Sequence, residues 1–467
     1  MSLEKVIEKY KNGEISVEEN ISNVLNKIKE NELNAYITIN EEAIEDAKKL
    51  DEKLKENKPL GKLFGIAVAI KDNISTKNLK TTCASKMLED FKPVFDATVI
   101  ENLKKEDAII IGKTNMDEFA MGGSSETSYF GAVKNPLDKT LVPGGSSSGS
   151  AATVSNGDVL IALGSDTGGS VREPASYCNV VGYYPTYSLV SRRGVVSMAN
   201  SLDQVGVVAK NVDDVVDVID VISSPDEKDM TSIKEKYDFS KENYDFSGKK
   251  IAIFKDLKQF GTEDSVIEDF NKAIEIVKNK GAIVEEIESE YIKYANMVYN
   301  IVMSSEVSSN MSRFDGIRYG FHPTDYKDAE DLFLKTRSRG FGEEVQRRIA
   351  TGTMYLSASD GQKIYKQGLK VRTLLKREIN EILKKYDFIF TPTTTDLPYK
   401  LGEKIDNPLS SYDSGIFNVI VNLSSTCAIS VPIRKGLSGS LQIIGASFDD
   451  KNLLNAARAF EGGRDEN

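Results

Sequence analysis

The sequence predicts an α/β protein in which layers of helices cover a large β-sheet. Amphipathic helical segments alternate with short apolar segments over the whole length of 467 residues. Two of the apolar runs, residues 66–70 and 108–111, contain no polar side chain, which is typical of strands covered on both faces. Because the alternation is continuous, we predict one domain over residues 1–467 rather than a string of small domains.

The elements follow in order along the chain. Residues 1–60 are predicted to be largely helical, with a capping box at residues 16–19 opening one of the helices. A short strand is expected at residues 35–39. The two apolar runs come next as buried strands, and the Ser- and Asp-rich residues 223–247 are predicted to form a surface excursion.

The remaining predicted elements share the same signals, apolar runs for strands and apolar residues at spacings of three and four for helices. The predicted strands are residues 159–163, 251–254, 388–390, 428–433 and 441–444, and the predicted helices are residues 148–154, 266–278 and 371–386.

Composition excludes several classes of function. A net charge of −11 argues against a dominant phosphate-binding surface. The three cysteines, Cys83, Cys178 and Cys427, are far apart and form no C-x-x-C pair, so neither a disulfide framework nor a metal site is predicted. The charged N-terminus and the lack of a long apolar run predict no secretion signal and no membrane span. We therefore expect a cytoplasmic protein.

Two serines and one lysine carry the strongest chemical signal. Ser146 and Ser170 lie in two Gly- and Ser-rich segments, and Lys71 directly follows the first apolar run. A serine hydroxyl needs a neighbouring base to become a nucleophile, and the chain has one histidine, His322. A lysine can act as that base if a desolvated site lowers its pKa. The alternatives are a flexible linker around Ser146, a plain glycine turn at Ser170 and a solvated charge at Lys71.

The glycine turn that contains Ser170 follows a predicted strand directly. The backbone N–H groups of Thr167, Gly168 and Gly169 can therefore point into one pocket, and the two glycines allow a substrate to approach closely. This arrangement is the one that an oxyanion hole requires.

Several segments of the chain resemble one known family. Residues 142–152 and 162–175 resemble the amidase signature, and residues 113–122, 201–206 and 312–320 resemble the A subunits of the aspartyl/glutamyl-tRNA amidotransferases. The similarity extends from about residue 5 to about residue 462. It implies the amidase-signature fold, in which a large mixed β-sheet is sandwiched between layers of helices.

The resemblance also implies roles for the three residues. Ser170 matches the family's nucleophile, Ser146 its bridging serine and Lys71 its base, and the peptide bond that enters the bridging serine is cis in that family. The N–H groups from Thr167 to Ser170 would hold the oxyanion. The chemistry implied is hydrolysis of the side-chain amide of glutamine through an acyl-enzyme.

Substrate-binding residues follow from the same resemblance. Arg348 would bind the α-carboxylate of glutamine and Tyr299 would line the pocket; the ordinary alternatives are a surface ion pair and a partly buried aromatic residue. The chain departs from the family at Gly415, where an aspartate usually meets the α-ammonium group, and at Glu173, where glutamine is common. Asp413 is a possible substitute for that aspartate.

The resemblance implies the function of a glutaminase subunit. Such a chain supplies ammonia to B and C subunits, which amidate misacylated Glu-tRNA(Gln) or Asp-tRNA(Asn), a ligase reaction in protein biosynthesis. The partner uses ATP and Mg²⁺, and this chain binds no cofactor of its own. Two alternatives remain open: a stand-alone amidase that acts on other small amides, which Gly415 favours, and an inactive scaffold.

Overall fold

The structure is a computed structural model that describes residues 2–357, 361–404 and 414–465. These residues form a mixed α/β fold around one eleven-stranded sheet. The strands are β1 (Tyr36–Ile39), β2 (Ala67–Lys71), β3 (Ile109–Thr114), β4 (Ile161–Asp166), β5 (Val181–Tyr184), β6 (Gln204–Ala209), β7 (Lys250–Phe254), β8 (Ile283–Ile287), β9 (Phe388–Pro392), β10 (Cys427–Pro432) and β11 (Ser440–Gly445).

Fourteen α-helices are found among the described residues, and none of them is both long and apolar enough to cross a membrane. The helices are α1 (Leu3–Lys11), α2 (Val17–Glu30), α3 (Ala43–Lys55), α4 (Thr98–Lys105), α5 (Ser148–Ser155), α6 (Arg172–Tyr177), α7 (Val212–Ile222), α8 (Asp264–Asn279), α9 (Ala295–Met311), α10 (Ala329–Gly340), α11 (Glu343–Leu356), α12 (Gly361–Leu383), α13 (Ile416–Ser424) and α14 (Asp450–Asp465).

The sheet order is β1-β3-β2-β4-β6-β5-β10-β11-β9-β7-β8. Strand β2 lies between β3 and β4 and runs parallel to both, with Ile70 in register with Lys113 and Leu163. The carboxyl ends of these three strands therefore meet at one edge of the sheet. Ligands of α/β proteins commonly bind outside that edge, and Lys71 is the last residue of β2.

The three strands that meet at this edge are buried along their whole length. Every residue of β2, β3 and β4 is buried, as expected for apolar runs covered on both faces. Strand β4 begins at Ile161 and ends at Asp166, whereas the sequence predicts residues 159–163. The polar residues at its end give no strand signal in the sequence, because they are buried through hydrogen bonds rather than through apolar contacts.

The first sixty residues contain α1, α2, β1 and α3. The predicted capping box is present, since the Ser16 hydroxyl accepts a hydrogen bond of 3.0 Å from the N–H of Glu19 at the start of α2. Strand β1 pairs antiparallel with β3 at the edge of the sheet. This segment is therefore tied to the strand next to the one that carries Lys71.

Residues 223–249, all of which the structure describes, contain no helix and no strand. The segment nevertheless packs closely, because the rings of Phe239 and Phe246 are buried and the Tyr237 hydroxyl donates to the carbonyl of Phe448 at 2.7 Å. Most of its charged residues face solvent while these aromatic rings anchor it.

Candidate active site

Lys71 is a buried amine that contacts the first of the two serines. Its Nζ atom donates hydrogen bonds to the Ser146 hydroxyl at 2.8 Å and to the carbonyl of Ser165 at 3.0 Å. The side chain is fully buried. Burial lowers the pKa of Lys71 to about 7, although the charges of Asp117 and Asp166 act in the opposite direction. A large fraction of Lys71 is therefore neutral near pH 7, and the neutral amine can accept a proton from Ser146.

The backbone around Ser146 connects it to the second serine. The Gly145–Ser146 peptide bond is cis. The N–H of the next residue, Ser147, donates to the carbonyl of Ser170 at 3.1 Å, and the N–H of Asp117 donates to the carbonyl of Ser146 at 3.3 Å. The two serines therefore belong to segments that are hydrogen-bonded to each other beside Lys71.

Ser170 lies on a tight turn between β4 and α6. Asp166 holds this turn, because its carboxylate accepts from the N–H groups of Gly169 at 2.8 Å and Val171 at 3.1 Å. Gly169 has a φ of +120°, a conformation that disfavours any residue with a side chain. Ser170 itself is half-buried and reaches the cavity, whereas Ser146 is fully buried. Ser170 is thus the hydroxyl that a substrate can reach.

A buried ion pair supports the turn from behind. Arg172 contacts both carboxylate oxygens of Asp166, at 3.0 and 3.1 Å, and neither side chain is exposed. The guanidinium also donates to the side-chain oxygens of Gln442 and Asn422, each at 2.7 Å. Burial by itself would raise the pKa of Asp166, but the charge of Arg172 together with the hydrogen bonds from Arg172, Asn422 and the N–H of Gly169 lowers that pKa. The Asp166–Arg172 pair therefore stays ionised and fixes the turn.

The sequence patterns place Asp166 and Arg172 within the amidase-signature segment but indicate no role for either residue. The signal that could have found them is chemical. Two opposite charges stand six positions apart in a segment of small residues that has to be buried. Buried charges are found paired, so such a spacing indicates an ion pair.

The predicted oxyanion donors differ in whether a side chain already accepts their hydrogen bond. The N–H of Gly169 already donates to Asp166 in this structure. No described side chain accepts from the N–H groups of Thr167 or Gly168, while the Thr167 hydroxyl donates to Asp203 at 2.6 Å. Gly168 and Ser170 line the cavity. The N–H groups of Thr167 and Gly168 therefore stay candidates for the predicted oxyanion hole, whereas that of Gly169 is already used.

A small enclosed cavity surrounds Ser170. It encloses about 40 Å³ and shares Gly122 and Gly123 with a neighbouring cleft of about 470 Å³. The cavity is lined by Ala120, Gly122, Gly123, Gly145, Gly168, Ser170, Glu173, Tyr299, Arg348, Gly415 and Val419. Most of this wall is glycine or apolar, so the few polar side chains determine what the cavity can bind.

Both predicted substrate-binding residues line this cavity. Arg348 on α11 is only 3% exposed, and its Nε atom donates to Glu344 at 2.6 Å. Burial would raise the pKa of Glu344, but the charges of Arg348 and Arg347 lower it to about 2, so this carboxylate stays ionised and orients the guanidinium. Tyr299 on α9 packs on Gly168, where an added Cβ would lie 2.5 Å from the ring.

Gly415 and Glu173 also face the cavity, where the sequence departs from the family. Gly415 is the N-cap of α13 and brings no carboxylate, and Asp413 lies outside the described residues. Glu173 is the second residue of α6 and is buried. Among the described residues, no group of three or more His, Cys, Asp or Glu side chains is arranged to hold a metal ion.

Comparison with known proteins identifies the family. The amidase family model matches residues 19–454. The A subunit of glutamyl-tRNA(Gln) amidotransferase from Staphylococcus haemolyticus is 45% identical over 98% of this chain and 96% of its own length. The crystal structure of the protein of the same name from Thermotoga maritima is 40% identical, with a TM-score of 0.82 over 99% of this chain and 94% of that one.

A bacterial aryl acylamidase of the amidase signature family has the same fold at 22% identity, with a TM-score of 0.87 over 99% of this chain and 96% of that one. Because the fold is common to enzymes of different names, the fold alone does not select a substrate. Family membership is established by the matched family model and by identity over almost the whole chain. The chain belongs to the amidase family and is a relative of the A subunits of glutamyl-tRNA(Gln) amidotransferases.

Proposed function

We propose that this chain is the glutaminase subunit of a glutamyl-tRNA(Gln) amidotransferase. The hydrogen bond between Lys71 and Ser146, beside a cavity that Ser170 shares with Arg348, carries the proposal. A neutral buried amine, a bridging hydroxyl and an accessible hydroxyl supply a base and a nucleophile without histidine. The relatives at 45% identity bear the name of such a subunit.

Acylation begins with two proton transfers. Neutral Lys71 takes the proton of Ser146, Ser146 takes the proton of Ser170, and the Ser170 oxygen attacks the side-chain amide carbon of glutamine. The carbonyl oxygen becomes an oxyanion that the N–H groups of the turn stabilise; losing one such donor typically costs about 3 kcal/mol of transition-state stabilisation. The C–N bond then breaks as Ser146 gives a proton to the amide nitrogen, which leaves as ammonia, and Lys71 returns its proton to Ser146.

Deacylation uses the same groups in the opposite sense. Water loses a proton to Ser146 and Lys71 while its oxygen attacks the ester carbon of the glutamyl enzyme. The ester bond to Ser170 breaks, the Ser170 oxygen regains a proton, and glutamate leaves. Arg348 would hold the α-carboxylate of glutamine throughout, because a buried guanidinium is well suited to a carboxylate.

The partner subunits complete the reaction in this proposal. Ammonia passes to B and C subunits in the cytoplasm, where ATP and Mg²⁺ activate the misacylated tRNA that receives it. The net charge of −11 is consistent with a chain that leaves tRNA binding to its partner.

One experiment tests the proposed function. Ammonia release from glutamine is measured for the full-length chain, alone and with candidate B and C subunits, for wild type and for Ser170→Ala. We expect the partners to stimulate glutamine hydrolysis and Ser170→Ala to abolish it. Activity that survives in Ser170→Ala would contradict the mechanism.

A second function, a stand-alone amidase for other small amides, is favoured by one observation. Gly415 brings no carboxylate into the cavity to meet the α-ammonium group of an amino acid. Faster turnover of simple amides than of glutamine, with no response to B and C subunits, would support this alternative and reject the amidotransferase proposal.

A further inference from the structure

A pocket that selects a free amino acid must meet two opposite charges. The α-carboxylate of glutamine needs a cation, and its α-ammonium group needs an acceptor, since an unpaired buried charge is costly. Arg348 is the positively charged residue in the described wall of the cavity. Glu173 is the one acidic residue among those same lining residues.

The position of Glu173 ties it to the nucleophile. It stands three residues after Ser170, at the start of α6, and its N–H donates to the carbonyl of Gly169 at 2.8 Å. Asp166 holds the same turn in place. The carboxyl group of Glu173 is therefore carried by the segment that also fixes Ser170, so their separation is set by short-range geometry.

The carboxyl group of Glu173 is buried without a hydrogen-bond partner among the described residues. The residue is only 7% exposed, and its side chain makes no hydrogen bond or ion pair with the part of the chain that the structure describes. The nearby cation Lys404 is paired with Asp396 at 2.8 Å. A buried acid in this state, in the wall of a binding cavity, indicates a ligand that completes its hydrogen bonds.

The electrostatic surroundings of Glu173 favour a cationic ligand. Burial raises the pKa of Glu173 well above its usual range, and the negative charges of Asp396 and Asp117 raise it further. These causes act against the charged carboxylate, and the opposing charge of Lys404 does not reverse them. An ammonium group in the cavity adds positive charge beside the carboxyl group and so stabilises its ionised form.

We propose that Glu173 binds the α-ammonium group of glutamine and selects an amino acid amide over simple amides. The proposal rests on the proposed glutaminase function, and it names the residue that gives the site its substrate class. It also accounts for two departures seen in the sequence, since a carboxyl group is present at position 173 and absent at position 415.

Position 415 offers a rescue experiment. A Cβ added to Gly415 would meet only the carbonyl oxygen of Gly168 among the described residues, at an ordinary contact distance of 3.8 Å, so the described backbone leaves room for the first atom of a side chain there. Gly415 and Glu173 line the same cavity. A carboxylate returned at position 415 can therefore take over the contact that Glu173→Gln removes.

The test compares two substrates that differ in one group. Glutamine carries the α-ammonium group, and 4-carbamoylbutanoate is the same molecule without it. For the full-length chain with its B and C subunits, kcat/KM is measured for both. We expect Glu173→Gln to lower the ratio of kcat/KM for glutamine to that for 4-carbamoylbutanoate at least about tenfold. The double variant Glu173→Gln with Gly415→Asp should recover most of that ratio.

The ratio separates binding from folding, because a variant that merely folds poorly loses activity on both substrates. Glu126→Gln is the matched control, since Glu126 lines the neighbouring cleft but not the cavity, and it should leave the ratio unchanged. If the wild type prefers glutamine and Glu173→Gln leaves the ratio unchanged, this inference alone is overturned. If the ratio falls in Asp413→Asn instead, the contact with the α-ammonium group belongs to Asp413. A wild type that does not prefer glutamine overturns the proposed function as well.

Discussion

At the scale of single residues, the proposed chemistry depends on a lysine that is buried without an ion pair among the described residues. Lys113 is buried as completely as Lys71, but its Nζ atom lies 3.4 Å from the carboxylate of Asp72. Lys71 instead contacts a hydroxyl and a backbone carbonyl. Because these neutral groups stabilise its charge less than a carboxylate would, Lys71 loses its proton readily and can serve as a base.

The first prediction concerns the pH dependence of this base. The pKa of Lys71 is lowered to about 7, and the neutral form is the reactive one, so activity is present above that value and lost below it. We expect kcat for glutamine to fall about tenfold per pH unit below pH 7 and to level off above about pH 8. The measurement is kcat at saturating glutamine between about pH 5 and 9.

Lys71→Arg is the control for this profile, because a guanidinium stays protonated over the whole range and should be inactive throughout. A flat profile in the wild type would mean that Lys71 is not the base.

At the scale of elements, the turn between β4 and α6 acts as one unit with α13 and β11. Asp166 holds the backbone of the turn, and Arg172 joins it to Asn422 on α13 and Gln442 on β11. The turn that carries Ser170 is thus supported by side chains far away in the sequence. A site whose geometry must be accurate within a fraction of an ångström needs such supporting contacts.

The second prediction removes one charge from this unit. Asp166→Asn leaves Arg172 buried without its counter-charge and weakens the hold on the N–H groups of Gly169 and Val171. We expect the free energy of unfolding to fall by about 3 kcal/mol or more and glutaminase activity to be lost. The urea midpoint and ammonia release are the measurements.

Asp46→Asn is the matched control, since Asp46 pairs with Lys49 at 2.8 Å on the surface of α3. It should leave both measurements unchanged, because exposed ion pairs contribute little. If Asp166→Asn behaved like this control, the ion pair would have no supporting role.

The third prediction concerns the start of α2. Ser16→Ala removes the hydroxyl that accepts the N–H of Glu19, and we expect a loss of about 1 kcal/mol in the free energy of unfolding. Ser2→Ala provides the comparison, because Ser2 also precedes a helix but makes no side-chain capping bond within the described residues. Equal losses for the two variants, measured by urea unfolding, would refute the assigned cap.

At the scale of the whole molecule, one continuous sheet brings the parts of the site together. Lys71 is on β2, Ser170 follows β4, and Arg348 is on α11, almost two hundred residues later in the chain. The net charge of the whole chain bears on tRNA binding. A net charge of −11 repels a polyanion such as tRNA.

The fourth prediction follows from that charge. The chain alone should bind misacylated tRNA with a Kd no tighter than about 10⁻⁴–10⁻⁶ M at physiological salt, the range of non-specific binding. Adding B and C subunits should tighten binding by at least an order of magnitude, as measured by filter binding. Tight binding of tRNA by the isolated chain would contradict the division of labour proposed above.

The elements with unambiguous patterns could be predicted from the sequence. Strands β2 and β3 begin with apolar runs, and the cap at Ser16 belongs to a capping box. All three features are therefore predicted close to their observed positions. The sequence does not predict strands β5 and β6, because both lie in or next to a stretch rich in glycine and serine and β5 has only four residues. Local pattern carries little information there, and sheet pairing determines the structure.

The sequence by itself determined the family, and through it the reaction class, because the segments that contain Ser146 and Ser170 resemble the amidase signature. Only the tertiary structure decided how these residues are supported and what faces the substrate. The depressed pKa of Lys71, the support of Arg172 by Asn422 and Gln442, and the burial of Glu173 in the cavity wall arise from contacts between distant segments. Desolvation and long-range packing are properties of the folded chain, so spacing along the sequence does not reveal them.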